Sequence, residues 1–434
     1  MRRQLLQVAA IGGMLLSSVA AAGGPAVASQ HRAAGTRAAI PVFRRAVQIW
    51  LPAGAGAAAS GSLLAVDCVR RGWCVAGGEY DNGNGLSSAR PMIVTESGGR
   101  WGQAIALHLG RLYNGAVTAI DCTSPGNCMA GGYYSNFSGK ITVFTVTERA
   151  GRWGGVRPVR LPGNALEGEA VGGIACPRLG ACVAVGTYAI RSSYGSLDRG
   201  WLAMEQAGRW QQAREIGLPA GAPQPAGVGL SSVACAMPGS CVAVGWNHEF
   251  LPNGHNNGDY PVAVTEAGGR WRRAVRVPLP PDTTSPPHAY LVSVSCPRAG
   301  ACLAAGDYTG SNDNQMVATS SAGRWGRARG VDVMPPDADA SFGLGFTAMA
   351  CPARSLCVAI GEYHEAGDYA GMAAIANGAT WSATEIGPPA NATADSPANA
   401  VDCTAAGYCA IVGSYPAGIV NHNRQFHAMA VTTR

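Results

Sequence analysis

The sequence predicts an all-β chain folded as a seven-bladed β-propeller with four antiparallel strands per blade, and three observations carry that expectation. All fourteen cysteines fall into seven C-x5-C pairs. By subtraction, the first cysteines of successive pairs lie 54, 54, 59, 61, 55 and 52 residues apart. Between the pairs, strand-sized apolar runs alternate with Gly, Pro and Asn turns, and none keeps a helical period. An internal period of about 50 residues belongs to a solenoid, an array or a propeller. Four strand-sized runs per period is the content of a propeller blade.

The elements follow in chain order. Arg2 and Arg3 precede an apolar stretch from Leu5 to Leu16, and small-residue sites follow at Ala20-Ala21-Ala22 and Ala26-Val27-Ala28. Residues 1–28 therefore read as an export signal that is removed, and residues 29–42 as a short leader. No cysteine lies near either site, so no lipid anchor is expected. Residues 43–434 form one propeller, with blades beginning near residues 62, 116, 170, 229, 290, 345 and 398.

The second repeat shows the grammar of a blade. Ala116 to Asp121 is an apolar run into Cys122, a Thr-Ser-Pro-Gly-Asn turn follows, and Cys128 opens Met-Ala-Gly-Gly-Tyr-Tyr. Ile141 to Thr147 is a β-branched run, and Glu148-Arg-Ala-Gly-Arg-Trp153 turns the chain into a fourth stretch. The first cysteine ends strand a and the second begins strand b, which sets them across a tight hairpin at disulfide distance. The expected bridges are Cys68–Cys74, Cys122–Cys128, Cys176–Cys182, Cys235–Cys241, Cys296–Cys302, Cys351–Cys357 and Cys403–Cys409. Each loop closure contributes about 2 kcal/mol on the chain-entropy estimate. Zinc would need four converging ligands and favours shorter spacings, whereas these pairs lie on separate blades. No metal and no cofactor are expected.

The last repeat stops after strand c, and the missing strand stands at the other end of the chain. Phe43-Arg-Arg-Ala-Val-Gln-Ile-Trp-Leu-Pro52 matches Trp271-Arg-Arg-Ala-Val-Arg-Val-Pro-Leu-Pro280 in pattern. Residues 43–52 are thus expected to complete blade seven and cover its open edge.

The c–d turns read Val94-Thr-Glu-Ser-Gly-Gly-Arg-Trp101 and Val264-Thr-Glu-Ala-Gly-Gly-Arg-Trp271. They resemble the Asp-box (BNR) turn S-x-D-x-G-x-T-W of secreted propellers, sialidases among them. Glu replaces Asp, Arg replaces Thr, and blade six carries only Asn377-Gly-Ala-Thr-Trp381. The resemblance spans one turn per repeat and implies fold, not activity. The whole pattern also looks like uncharacterised bacterial secreted C-x5-C repeat proteins. Trp101, Trp153, Trp210, Trp271, Trp325 and Trp381 recur at one repeat position, where blade packing is the expected role.

Bulk composition narrows the partners. Charged residues are only 13% of 434, and Gly supplies 60, which suits short strands joined by turns. The net charge of +6 becomes +4 without Arg2 and Arg3, and Lys140 is the single lysine. No basic cluster marks a nucleic-acid footprint. No later apolar run is long enough to span a bilayer as a helix. A monomer is expected, with an extracellular glycan or protein as partner.

Function is expected where the blades differ, on the face of the b–c and d–a loops. Every blade has Gly four residues after its second cysteine, and Tyr two residues later except for Asn247 in blade four. The tyrosines are expected to pack between blades with their hydroxyls at the rim, whereas the intervening position varies from blade to blade. The candidate ligand site takes Glu79, Tyr80, Trp246, Asn247, His248, Asp307, Tyr308, Glu362 and Tyr363. The longest b–c loop, Asn247 to Tyr260, is rich in groups that hydrogen-bond sugar hydroxyls. Its His248, Glu249, His255 and Asp259 match no metal spacing. The leading expectation is a non-catalytic binding module. Its rivals are a sialidase-like or other glycoside hydrolase or lyase using acids on that face, with Asp307 and Glu362 as the best pair, and a structural envelope protein.

Overall fold

The computed structural model describes residues 40–83, 88–109, 114–192, 195–251, 253–310, 313–336, 338, 345–365, 368–393, 396–420 and 423–434. The expected signal, residues 1–28, and all of the leader before residue 40 lie outside the described residues. Among the described residues there is no α-helix and none long and apolar enough to cross a membrane. The strands form seven antiparallel sheets, each ordered a-b-c-d. Blade one has Gly61–Arg70, Trp73–Tyr80, Arg90–Ser97 and a broken strand d, Arg100–Trp101 with Ile105–Ala106. Strand a of each blade packs on strand a of the next, and that of blade seven on that of blade one, so the ring is closed with strands a innermost.

The N-terminal strand completes blade seven. Val47 and Gln48 pair with Ala430 and Met429, and Phe43 bridges Thr433. Ile49 donates its N–H to Ala428 O at 2.8 Å, and its side chain enters the core. Four strands in the last sheet therefore come from the two ends of the described chain.

Apolar burial lies between blades. Seven clusters of buried side chains each take residues from two neighbouring blades. The closing seam sets Leu63, Met92 and Val94 of blade one against Ala410, Val412 and Ala428 of blade seven. The tryptophans of the c–d turns fill these same clusters, as their recurrence predicted.

The glycine shared by all seven blades has a steric reason. Strand a carries a register shift in every blade, between Leu63 and Ala65 in the first and Leu291 and Ser293 in the fifth. The bulge pushes a strand-a carbonyl to where a side chain on strand b would begin. A Cβ at Gly78 would meet Ser62 O at 1.9 Å, and one at Gly306 would meet Tyr290 O at 1.8 Å.

All seven disulfides are formed, with Cα–Cα separations of 4.0–4.1 Å, and each stays within one blade. Their hairpins share a face with the c–d turns, because Gly99 N–H donates to Gly72 O at 3.1 Å and Gly151 N–H to Gly126 O at 2.9 Å. In blades three, four and five the backbone N–H of the second cysteine finds an acceptor on strand c. Glu205 and Glu266 accept from Cys182 and Cys241, and Ser320 Oγ accepts from Cys302 at 2.9 Å. Glu205 and Glu266 are thus buried supports of the disulfide hairpins of blades three and four.

The first cysteine is tied across the seam. Cys68, Cys122 and Cys176 donate their N–H to the carboxylates of Asp402, Asp67 and Asp121 in the preceding blades, at 2.8, 3.1 and 2.9 Å. These three acids line a central cavity of about 320 Å³ at the disulfide end of the inner strands. Burial raises the pKa of all three; neighbouring carboxyls raise Asp67 and Asp121 further, while the cysteine N–H bonds work the other way.

Two outcomes are expected. A carboxyl whose pKa is raised by folding stabilises the folded state fully below its unfolded value of about 3.9, and that stability is lost as pH climbs through the folded value. The melting temperature therefore falls from about pH 5 to about pH 8. Asp121→Asn keeps an acceptor for Cys176 but cannot ionise, so it should shrink that fall; an undiminished fall would contradict the assignment. Deleting residues 43–52 should expose the edge of strand c in blade seven and yield aggregated protein. A monomeric, fully folded truncation, read by light scattering and circular dichroism, would overturn the closure.

Candidate functional site at the blade four to blade five corner

The loop face is set by the strands. The position after the shared glycine lies on strand b, opposite the start of strand a: Ser62 pairs with Glu79, Gly229 with Trp246 and Tyr290 with Asp307. Glu79, Trp246, Asp307 and Glu362 are all half-buried there. Burial raises the carboxyl pKa of Glu79, with Asp81 adding to it, and burial alone raises that of Glu362.

The neighbouring position points the other way. Tyr80, Tyr308 and Tyr363 are buried in the seams, and Tyr308 donates its hydroxyl to Asp282 at 2.9 Å. Asn247 is fully buried, with Nδ2 donating to Gly227 O at 2.7 Å. The expected site residues thus divide. Glu79, Trp246, His248, Asp307 and Glu362 reach the loop face, while the three tyrosines and Asn247 hold the blades beneath it. Strand alternation alone accounts for the split.

One group of side chains converges beyond this pattern. Strand b of blade four, Ser240–Phe250, and strand c, Asn256–Ala267, form a long hairpin in which His248 lies opposite Asp259. The loop entering blade five runs beside strand c, where Asp259 N–H donates to Pro287 O at 2.7 Å and a parallel bridge sets Asp259 beside His288. The Asp259 carboxylate is 1% exposed. It accepts from Tyr290 Oη at 2.5 Å, from His288 Nδ1 at 2.8 Å and from His248 Nδ1.

Burial by itself would raise the pKa of Asp259. The hydrogen bonds from His248, Tyr290 and His288 outweigh it and hold the carboxyl at about 2. Tyr290 moves the opposite way, pushed above the phenol range by burial, by its bond to Asp259 and by Asp307 nearby. An ionised carboxylate only accepts, so both imidazoles carry their proton on Nδ1 and turn Nε2 away from it. Aromatic rings flank the pair: His248 meets Phe250 edge-on at 4.3 Å and Trp246 at 6.4 Å. The Trp246 indole lies against strand a, where a Cβ on Gly229 would come within 2.5 Å of it.

Other charged groups of blades three and four are engaged with one another. Glu249 pairs with Arg276, whose guanidinium stands 4.0 Å above the Tyr260 ring. Arg199 pairs with Glu215 at 3.2 Å. In blade three, Glu169 is hydrogen-bonded to Asp198, and burial followed by that neighbour raises it to about 7. Hydrogen-bonded carboxyls are closer than the roughly 5–9.5 Å that paired-acid glycoside hydrolysis uses. No group of three metal-ligating side chains occurs among the described residues. Asp259, His288 and Tyr290 escaped the expected site set. For the last two the signal was His288-Ala-Tyr290 at a blade start, where blades one and two have Gly-Ser and Gly-Ala.

No protein-family model matches the chain, and no curated protein matches it. Solved structures resemble the chain at low identity. A Dyadobacter fermentans protein of unknown function is 10% identical, with TM-score 0.45 over 91% of this chain and 100% of its own. The NanB sialidase of Streptococcus pneumoniae is 9% identical, with TM-score 0.44 over 90% and 70%. An ulvan lyase is 10% identical, with TM-score 0.47 over 90% and 94%. Such distant likeness carries no activity to this chain. The fold and the site define a seven-bladed propeller with one disulfide per blade and an Asp–His–His–Tyr cluster on its loop face.

Asp259→Ala would leave three donors without their acceptor and should cost about 3 kcal/mol of stability. Urea unfolding measures this, and a loss below about 0.5 kcal/mol would mean that water replaces the carboxylate.

Proposed function

We propose that the protein is exported and binds a glycan at the blade four to blade five corner of its loop face. The observation that carries this reading is Trp246, a half-buried indole laid on strand a beside the Asp259 cluster. A sugar ring offers an apolar C–H face and a rim of hydroxyls. A flat aromatic wall next to fixed donors and acceptors matches both. The long b–c hairpin of blade four extends this surface, and Glu79 and Glu362 add acceptors on the same face. Seven disulfides with no free cysteine support an oxidising, extracellular setting.

The test is binding of the full oxidised chain to a panel of plant and bacterial polysaccharides, followed by two variants. Trp246→Ala should weaken binding about tenfold, equivalent to about 1.4 kcal/mol. Gly229→Ala should do the same without touching the ligand, because its new methyl displaces the indole. Unchanged affinity in both variants would refute the site, and wild-type protein that retains no polysaccharide would refute the reading.

A further inference from the structure

We infer that this corner also hydrolyses acyl esters carried by the bound glycan, with His288 as general base and His248 as electrophilic partner. The inference rests on the glycan-binding reading and adds a chemical step to it.

The starting point is a departure from the repeat. In blades three, five and seven the seam tyrosine gives its hydroxyl to nearby side chains: Tyr188 to Glu215 on strand d and to Asn164, Tyr308 to Asp282, and Tyr415 to Asn391. Blade four has Asn247 in place of that tyrosine, and Asp259 gathers three side-chain donors from two blades. There one phenol serves the contact, whereas at Asp259 one acceptor serves three donors. Two imidazoles on the two oxygens of one buried carboxylate do something a packing contact does not, because they fix two tautomers at once.

With Nδ1–H locked on Asp259, a neutral His288 presents the Nε2 lone pair outward, and its side chain is 43% exposed. His248 is 28% exposed and sits on the other carboxylate oxygen. Imidazole is the side chain type that exchanges protons near neutral pH. The proposed step uses His248 with a proton on Nε2, as donor, and His288 with a free Nε2, as acceptor. The other titratable groups facing them are Tyr290, whose proton is held on Asp259, and Asp307 beside Tyr290.

The chemistry then balances with water as the only co-reactant. His288 Nε2 takes a proton from water as the water oxygen bonds to the acyl carbon. The carbonyl electron pair moves onto its oxygen, which accepts a hydrogen bond from His248 Nε2–H. The carbonyl re-forms, the bond to the sugar oxygen breaks, and that oxygen takes the proton from His288. The products are a carboxylic acid and a free sugar hydroxyl. A glycosidic bond would instead need a protonated carboxyl on the leaving oxygen, and Asp259 is held ionised beneath three donors.

The full oxidised chain is incubated with acetylated xylan, acetylated pectin and O-acetylated peptidoglycan. Acetate release and retention of each polymer are measured separately. Wild type should release acetate with a bell-shaped pH profile. His288→Gln should lower release by at least about a hundredfold, far more than it lowers the polymer retention measured alongside. His248→Gln should slow release and remove the alkaline limb of the profile, because protonation of that imidazole no longer matters. Retention of a polymer without acetate release overturns the esterase and leaves glycan binding standing. Undiminished release by His288→Gln overturns it as well, and absence of both retention and release removes both readings.

Discussion

Among the described residues each sheet buries its faces against its two neighbouring sheets, so the ring must close. The seven apolar clusters all lie between blades, and the seam of blades seven and one is built like the rest. Closure in turn requires the inner strands to approach tightly. That is why strand a is bulged in every blade and why its neighbour has glycine opposite the displaced carbonyl. The N-terminal strand at Val47–Gln48 completes the last sheet and removes its open edge.

The disulfides take their place within that constraint. A C-x5-C hairpin leaves cysteine N–H groups at a kinked strand end, and each needs an acceptor. Strand c of the same blade serves the second cysteine in blades three, four and five, and an aspartate of the preceding blade serves the first at three adjacent seams. The covalent staple within a blade and the hydrogen bond between blades therefore meet at one residue. At these positions the carboxylates of the disulfide face are engaged by backbone and serve as support. The arrangement also places raised-pKa acids around a central cavity, which ties the stability of the ring to pH.

On the other face the repeat is free to vary, and it varies most at blade four. Loss of the seam tyrosine there coincides with a longer hairpin, an indole lying on strand a and a carboxylate that draws donors from the next blade. The balance of forces at Asp259 is informative. Burial alone would favour its neutral form, yet three hydrogen bonds hold it ionised, so its own capacity as a base is spent on orientation. What it fixes is the orientation of two imidazoles and one phenol.

The sequence by itself determined the blade count, the disulfide pairing, the all-β class and the strand that closes the ring. These follow from spacing, period and turn residues, which act locally or repeat identically. It also separated the two faces and brought Glu79, Trp246, His248, Asp307 and Glu362 forward as loop-face residues. It did not separate them from Tyr80, Asn247, Tyr308 and Tyr363, because adjacent residues on a strand differ only in which side they face. Only the tertiary structure decided that the first group stays accessible while the second is buried. Only the tertiary structure brought His288 and Tyr290 to Asp259, about thirty residues away in the chain, since that meeting depends on how blade five docks against blade four.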